Sequence, residues 1–136
     1  VTSRQAIEDL LEELYAARVR GDVDTVSKLF AANATFQVAG SKDAGPMALT
    51  VKGNADIRSV MQGLIANFEL SDFTIVEMLI DGGSAAVRWQ ATIHYTKTGR
   101  IFSTDLADFL TIADGQVTSF IEFLDTALSA KVLAGR

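Results

Sequence analysis

Residues 107–125 read ADFLTIADGQVTSFIEFLD. Two strand-length runs of Phe, Leu, Ile and Val flank Ala113-Asp114-Gly115, a turn signal of the kind that joins antiparallel strands. Upstream, DFTIVEMLI breaks at Asp81-Gly82-Gly83 and AAVRWQATIHY breaks at Thr98-Gly99. From Asp72 onward the chain therefore reads as a meander of hairpins. Within the quoted stretch one residue is out of place: Glu122 sits between Ile121 and Phe123 in an otherwise apolar run.

Before Asp72 the spacing is mostly helical. Ile7, Leu10, Leu11, Leu14 and Tyr15 recur on one helical face, with Thr2 or Ser3 as cap and Gly21-Asp22 as stop. Val23, Val26, Leu29 and Phe30 predict a short second helix, and ATFQVAG (34–40) a strand with Phe36 and Val38 on one face. A turn over 41–46 holds the single proline, a strand follows over 47–53, and Ile57, Val60, Met61, Leu64, Ile65 and Phe68 mark a helix over 54–68. Helices first and a long meander last predict an α+β protein, with N-terminal helices packed on one face of a strongly curved, mostly antiparallel sheet.

The 136 residues, 49% hydrophobic and 21% charged, suit one globular domain spanning 1–136. A net charge of −5 without any basic stripe argues against nucleic acid as a partner. Cysteine is absent and histidine occurs once, so no thiol nucleophile and no metal-ligand spacing are present. No apolar run reaches membrane-spanning length, and the acidic amphipathic start is unlike a secretory signal, so a cytoplasmic protein is expected.

Register decides where the carboxylates point. Alternation puts Trp89, Ala91, Ile93 and Tyr95 on the core face and Arg88, Gln90, Thr92 and His94 on the other. A two-residue loop at Thr98-Gly99 would set Trp89 opposite Asp108 and Tyr95 opposite Phe102, leaving Leu106, Asp108 and Leu110 facing inward. A three-residue loop at 113–115 would pair Asp108 with Phe120 and Leu106 with Glu122, turning both acids to the core. A two-residue loop would instead send Glu122 outward, because a one-residue slip flips every side chain. Two inward carboxylates are costly unless they have a task or partners, and desolvation raises their pKa toward the range of acid–base catalysis. A wet position at a pocket mouth, or hydrogen bonding to an internal Thr, Tyr or Trp, is the plainer alternative.

YAARVRGDVDTVSKLFAANATF (15–36), the helix start at Gly53–Ile57, and residues 107–125 resemble the nuclear transport factor 2-like superfamily, with ketosteroid isomerase and the SnoaL-like polyketide cyclases as the nearer relatives. The resemblance implies a cone-shaped α+β barrel, three helices closing a bent sheet around a pocket, and usually a dimer. Ketosteroid isomerase uses an Asp base with a Tyr and a protonated Asp as oxyanion donors. On this chain those positions fall on Val38, Leu14 and Asp108, so one of the three is kept. Limonene-1,2-epoxide hydrolase is similar over 120–125, which places its water-activating Asp at Glu122. Its remaining polar residues fall on or near Trp89, Ala91, Phe36 and Val38.

These readings make Asp108 and Glu122 the candidate catalytic pair, in a pocket lined by Leu14, Tyr15, Phe36, Val38, Trp89, Tyr95, Leu106, Leu110 and Phe120. Tyr15 could reach the pocket or simply pack on its helix, and Tyr95 could orient a ligand or touch water. His94 belongs to the polar face, and Arg88 and Asp105 are outer-face charges. The expected partner is a small apolar ligand, handled without cofactor or metal by isomerase-, cyclase- or dehydratase-type chemistry. Water activation on an epoxide and a non-catalytic binding or dimerisation module are the alternatives. Phe109, Ile121 and Phe123, on the face opposite the pocket, predict a homodimer.

Overall fold

The computed structural model describes residues 2–40 and 48–135. The turn expected over 41–46 and Met47 of the following strand lie outside the described residues.

Helix α1 (Arg4–Arg20) starts where the Ser3 hydroxyl accepts the Ala6 N–H, and stops at Gly21, whose φ of 75° is the left-handed value a helix end requires. Its stripe of Ile7, Leu10, Leu11, Leu14, Tyr15 and Ala17 is buried. The short α2 (Val23–Lys28) is capped by Asp22. Strand β1 (Phe30–Val38) begins earlier than the sequence pattern suggests, taking Phe30 out of the second helix. Strand β2 (Leu49–Lys52) and helix α3 (Asn54–Asn67) follow. The Asn54 side-chain amide ties α3 to the α2–β1 junction by donating to the carbonyls of Ser27 and Phe30, at 2.8 and 2.9 Å.

The meander is β3 (Phe68–Asp81), β4 (Ser84–Tyr95), β5 (Arg100–Ala113) and β6 (Gln116–Leu124). A fourth helix, α4 (Thr126–Leu133), closes the described chain. The six strands form one mixed sheet in the order β2-β1-β6-β5-β4-β3, with β1 and β6 parallel and every other pair antiparallel. The α+β expectation is thus met, with the sheet open along β2 and β3 rather than closed on itself. The inner face carries Phe36, Val38, Val87, Trp89, Leu106, Leu110 and Phe120, buried against α1 and α3 residues such as Leu11, Ile57 and Met61. Each fully buried side chain of this kind contributes roughly 1.5–3 kcal/mol.

Both expected registers are corrected. The β4–β5 turn spans Thr96–Gly99, so Tyr95 pairs with Arg100, Trp89 with Leu106 and Val87 with Asp108. Adding two residues to the turn preserves the faces and shifts every pair. At the β5–β6 turn the loop is Asp114-Gly115 alone, both at positive φ (52° and 74°). Such a pair matches the twist of the flanking strands. By parity alone it would expel Glu122. A bulge reverses that: Ile112 pairs with Val117 but Thr111 with Ser119, so Thr118 is an extra residue and the face alternation of β6 shifts by one. Asp108 consequently pairs with Glu122 directly, rather than with Phe120.

Candidate active site

Across the middle of the sheet Val38, Glu122, Asp108 and Val87 lie side by side on β1, β6, β5 and β4. All four side chains point to the helix-covered face, and three of them, Val38, Glu122 and Asp108, line a cavity of about 440 Å³. That volume lies in the lower part of the roughly 300–1,000 Å³ range of small-molecule sites. Most of the wall is apolar, with Leu14, Phe36, Met61, Leu106 and Phe120 among its members. The C-terminal α4 covers part of it with Ser129, Val132 and Leu133.

Asp108 is wholly buried, at 0% exposure. Its Oδ2 accepts hydrogen bonds from the Tyr15 hydroxyl at 2.5 Å and from Trp89 Nε1 at 2.7 Å. Phe73 packs on both donors' rings, at centroid distances of 5.7 Å to Tyr15 and 5.3 Å to Trp89, and fixes their orientation. Among the described residues Oδ1 has no partner of hydrogen-bond geometry. Glu122, its neighbour across the strands, lies near enough for its charge to act on the Asp108 carboxyl. Burial pushes the Asp108 carboxyl well above the usual range, and the charge of Glu122 pushes it further. The two donors on Oδ2 pull the other way without prevailing. The Tyr15 phenol is likewise driven up by burial and by Asp108, so it remains a protonated donor.

Glu122 is half-buried and lines the cavity. Burial raises its pKa too, opposed by the Asp108 hydrogen bond and by the positive charge of Arg18. Arg18, one turn beyond Tyr15 on α1, reaches the cavity wall while its Nη2 donates to the carbonyls of Leu64 and Phe68 at 3.4 and 2.9 Å. The arrangement places two carboxyl groups side by side on adjacent strands. With both donors on Oδ2, the Asp108 proton belongs on Oδ1, and Glu122 is the member of the pair with a nearby cation to favour its charge.

Of the expected pocket residues, Leu14, Tyr15, Phe36, Val38, Trp89, Leu106 and Phe120 line the cavity with the two acids, and Tyr95 and Leu110 do not. Tyr95 sits at the end of β4 and stacks on Phe68 at 4.9 Å. Leu110 lies in the core opposite Phe120, nearer the hairpin end. The hydroxyl that the resemblance sought at Leu14 comes from Tyr15. Trp89 reaches Asp108 diagonally rather than as its opposed pair. His94 is exposed and meets Glu69 across the strands, Nδ1 to Oε1 at 2.7 Å, and Arg88 pairs with Asp105 at 3.2 Å on the outer surface.

Sequence reasoning missed Arg18 and α4. Arg18 follows Tyr15 by three residues, the spacing that shares a helix face, and Asp125 before an Ala/Leu-rich run is a helix-start signal. Among the described residues no group of three or more His, Asp or Glu side chains is placed to hold a metal, and no helix is long and apolar enough to cross a membrane.

Comparison with known proteins agrees with this geometry at the level of fold. A candidate isomerase from Bacillus subtilis superposes with a TM-score of 0.85 at 16% identity, over 97% of this chain and 95% of its own. A nuclear transport factor 2-like protein from Burkholderia xenovorans gives 0.76 at 24% identity, over 96% and 98%. An epoxide hydrolase of the limonene epoxide hydrolase-like type from M. tuberculosis gives 0.73 at 13% identity, over 93% and 89%. Among curated protein sequences there is no significant match. The SnoaL-like domain model matches residues 11–120, and the chain belongs to that family, within the nuclear transport factor 2-like fold.

Proposed function

We propose that this protein is an acid–base enzyme that moves a proton on a small, largely apolar carbonyl compound bound beside the Asp108–Glu122 pair. The observation that carries this reading is Asp108 itself: a cavity-lining acid with one oxygen held by Tyr15 and Trp89 and the other buried without a partner, paired across the strands with a second carboxylate. Glu122, ionised, removes a proton from the carbon next to the substrate carbonyl, and the C–H electron pair passes into an enolate. The Oδ1–H of Asp108 donates a hydrogen bond to the developing enolate oxygen, where a preset donor in a dry site acts most strongly. Glu122 then returns the proton to another carbon, which completes an isomerisation without net gain or loss. A cavity bordered by Phe36, Phe68, Trp89 and Phe120 rather than filled by them favours a ligand site over a purely structural module.

The same pair could open an epoxide, with Glu122 taking a proton from water and Asp108 donating to the ring oxygen. Likeness to a mycobacterial epoxide hydrolase supports that second reading. One experiment separates them. Incubation with apolar β,γ-unsaturated ketones in deuterated water, followed by NMR, should show conjugation, with deuterium picked up during the proton shuttle at the γ-carbon. Inertness toward ketones with hydration of cyclohexene-type epoxides would install the hydrolase reading instead, and inertness toward both would leave a binding module. Assembly forms part of the proposal: Phe109 and Phe123, exposed on the outer sheet face, are covered by a second copy of the chain.

A further inference from the structure

The cavity wall holds five side chains with titratable groups: Tyr15, Arg18, Lys97, Asp108 and Glu122. On the reading just given, the two carboxylates share one proton and Tyr15 is neutral. Two cations then stand against one anion, Arg18 in the wall and Lys97 at the exposed rim. Arg18 is also underused. A guanidinium has five N–H donors, and its Nη2 serves the carbonyls of Leu64 and Phe68 at the C-terminal end of α3. Among the described residues Nε and Nη1 meet no protein acceptor, and no ion pair joins Arg18 to Glu122. Three cationic donors on a half-buried side chain are thus left at the wall of a mostly apolar site. The carbonyl clamp at the end of α3 also holds the group in one place, which lowers the entropy lost on binding.

We propose, building on the acid–base reading of this cavity, that the natural ligand is an apolar acid whose carboxylate is received by Arg18. One negative charge would balance the lining, and planar, bidentate capture of a carboxylate is what a guanidinium does better than an ammonium. Lys97, exposed at the β4–β5 turn, stands at the rim of the same cavity and would assist entry rather than fix the bound pose. With its carboxylate at Arg18 and its reacting carbonyl at Asp108, the substrate class becomes an apolar keto acid.

The test compares 2-naphthoate with its neutral isostere 2-naphthamide by titration calorimetry at pH 7.5, using the full chain. The wild type should bind the carboxylate at least about tenfold more tightly, as expected for a charge-assisted pair. Arg18→Gln should bring the two ligands within about twofold of each other while leaving amide affinity unchanged, the sign that the pocket itself is intact. Should loss of the α3 contacts disable the Gln variant, Arg18→Lys keeps the charge and should retain part of the preference. Equal binding by the wild type, failure to bind either probe at millimolar concentration, or a preference that survives Arg18→Gln and disappears in Lys97→Met would overturn the proposal. Isomerisation of a neutral ketone by a wild type with no carboxylate preference would sink this inference alone and leave the acid–base reading standing.

Discussion

The two faces of the β5–β6 pair invert the usual rule. Inside, against the helices, lie Asp108 at 0% exposure and Glu122 at the cavity; outside lie Phe109 at 50% and Phe123 at 49%, in edge-to-face contact at 5.6 Å. Carboxylates are in and phenyl rings are out on neighbouring residues of the same strands. Buried acids cost stability unless compensated, and exposed aromatics invite association. The proposed active site would account for the inversion on the inner face and the proposed assembly for that on the outer one.

Removing the inversion is the strongest way to test it. Insertion of one alanine after Thr118, with the single-residue bulge kept, would shift the alternation of β6 by one and swing Phe120 and Glu122 to the outer face. We expect a loss on the order of 3–5 kcal/mol from core burial alone, seen as a collapse of the thermal transition in circular dichroism. An insertion variant that melts like wild type would show that the bulge does not set the register.

Glu122→Gln leaves the face pattern intact and removes only the base. Turnover of a responsive ketone should fall about 10²- to 10⁴-fold, with the fold unchanged. Residual activity near wild type would assign the base elsewhere.

A third expectation concerns pH. Asp108 and Glu122 both have folded pKa values raised above those of the unfolded chain, chiefly by burial. The protonated folded form is therefore favoured below the unfolded values, near pH 4, and stability is lost as pH rises toward the folded ones. Asp108→Asn and Glu122→Gln remove that penalty while keeping the shape. Each should melt above wild type at pH 8 and close to it at pH 5. Lower melting of both variants at both pH values would make the acids structural acceptors. The smallest effect on the monomer belongs to the outer face: Phe109→Ser with Phe123→Ser should change intrinsic stability by only about 0.5 kcal/mol. Sedimentation should nonetheless show the wild-type dimer becoming a monomer, and a wild type already monomeric at micromolar concentration would count against the assembly.

The fold class was readable because periodicity is redundant. Five apolar positions on α1 and four strand-length runs after Asp72 outvote any single misleading residue. Face assignment on β5 survived a wrong turn length because adding two residues keeps parity. On β6 the inward Glu122 emerged for a different reason than the turn suggested: a shorter loop and a bulge cancel, and a bulge leaves almost no mark in a run such as VTSF. Partners of the acid were harder still. Tyr15 and Arg18 meet Asp108 and Glu122 only through the packing of α1 on the sheet, a distance in sequence that local patterning does not cross. Position 14, supplied by resemblance, was one residue from the hydroxyl that counts.

The strand that carries Glu122 follows the other five in the chain, yet it occupies the third place in the sheet, between β1 and β5. Until it arrives, β1 and β2 have no hydrogen-bonded link to the ladder of β3, β4 and β5. Insertion of β6 unites the halves and seats a carboxylate beside Asp108 in one event. Because the N-terminal part of a chain leaves the ribosome first, the first helix and three hairpin strands must wait with their apolar faces incompletely covered. Desolvation of the acid pair is thereby deferred to the closing step of folding. A nascent chain cut between Ala113 and Gln116 would hold Tyr15, Trp89 and Asp108 but no joined sheet in which to set them.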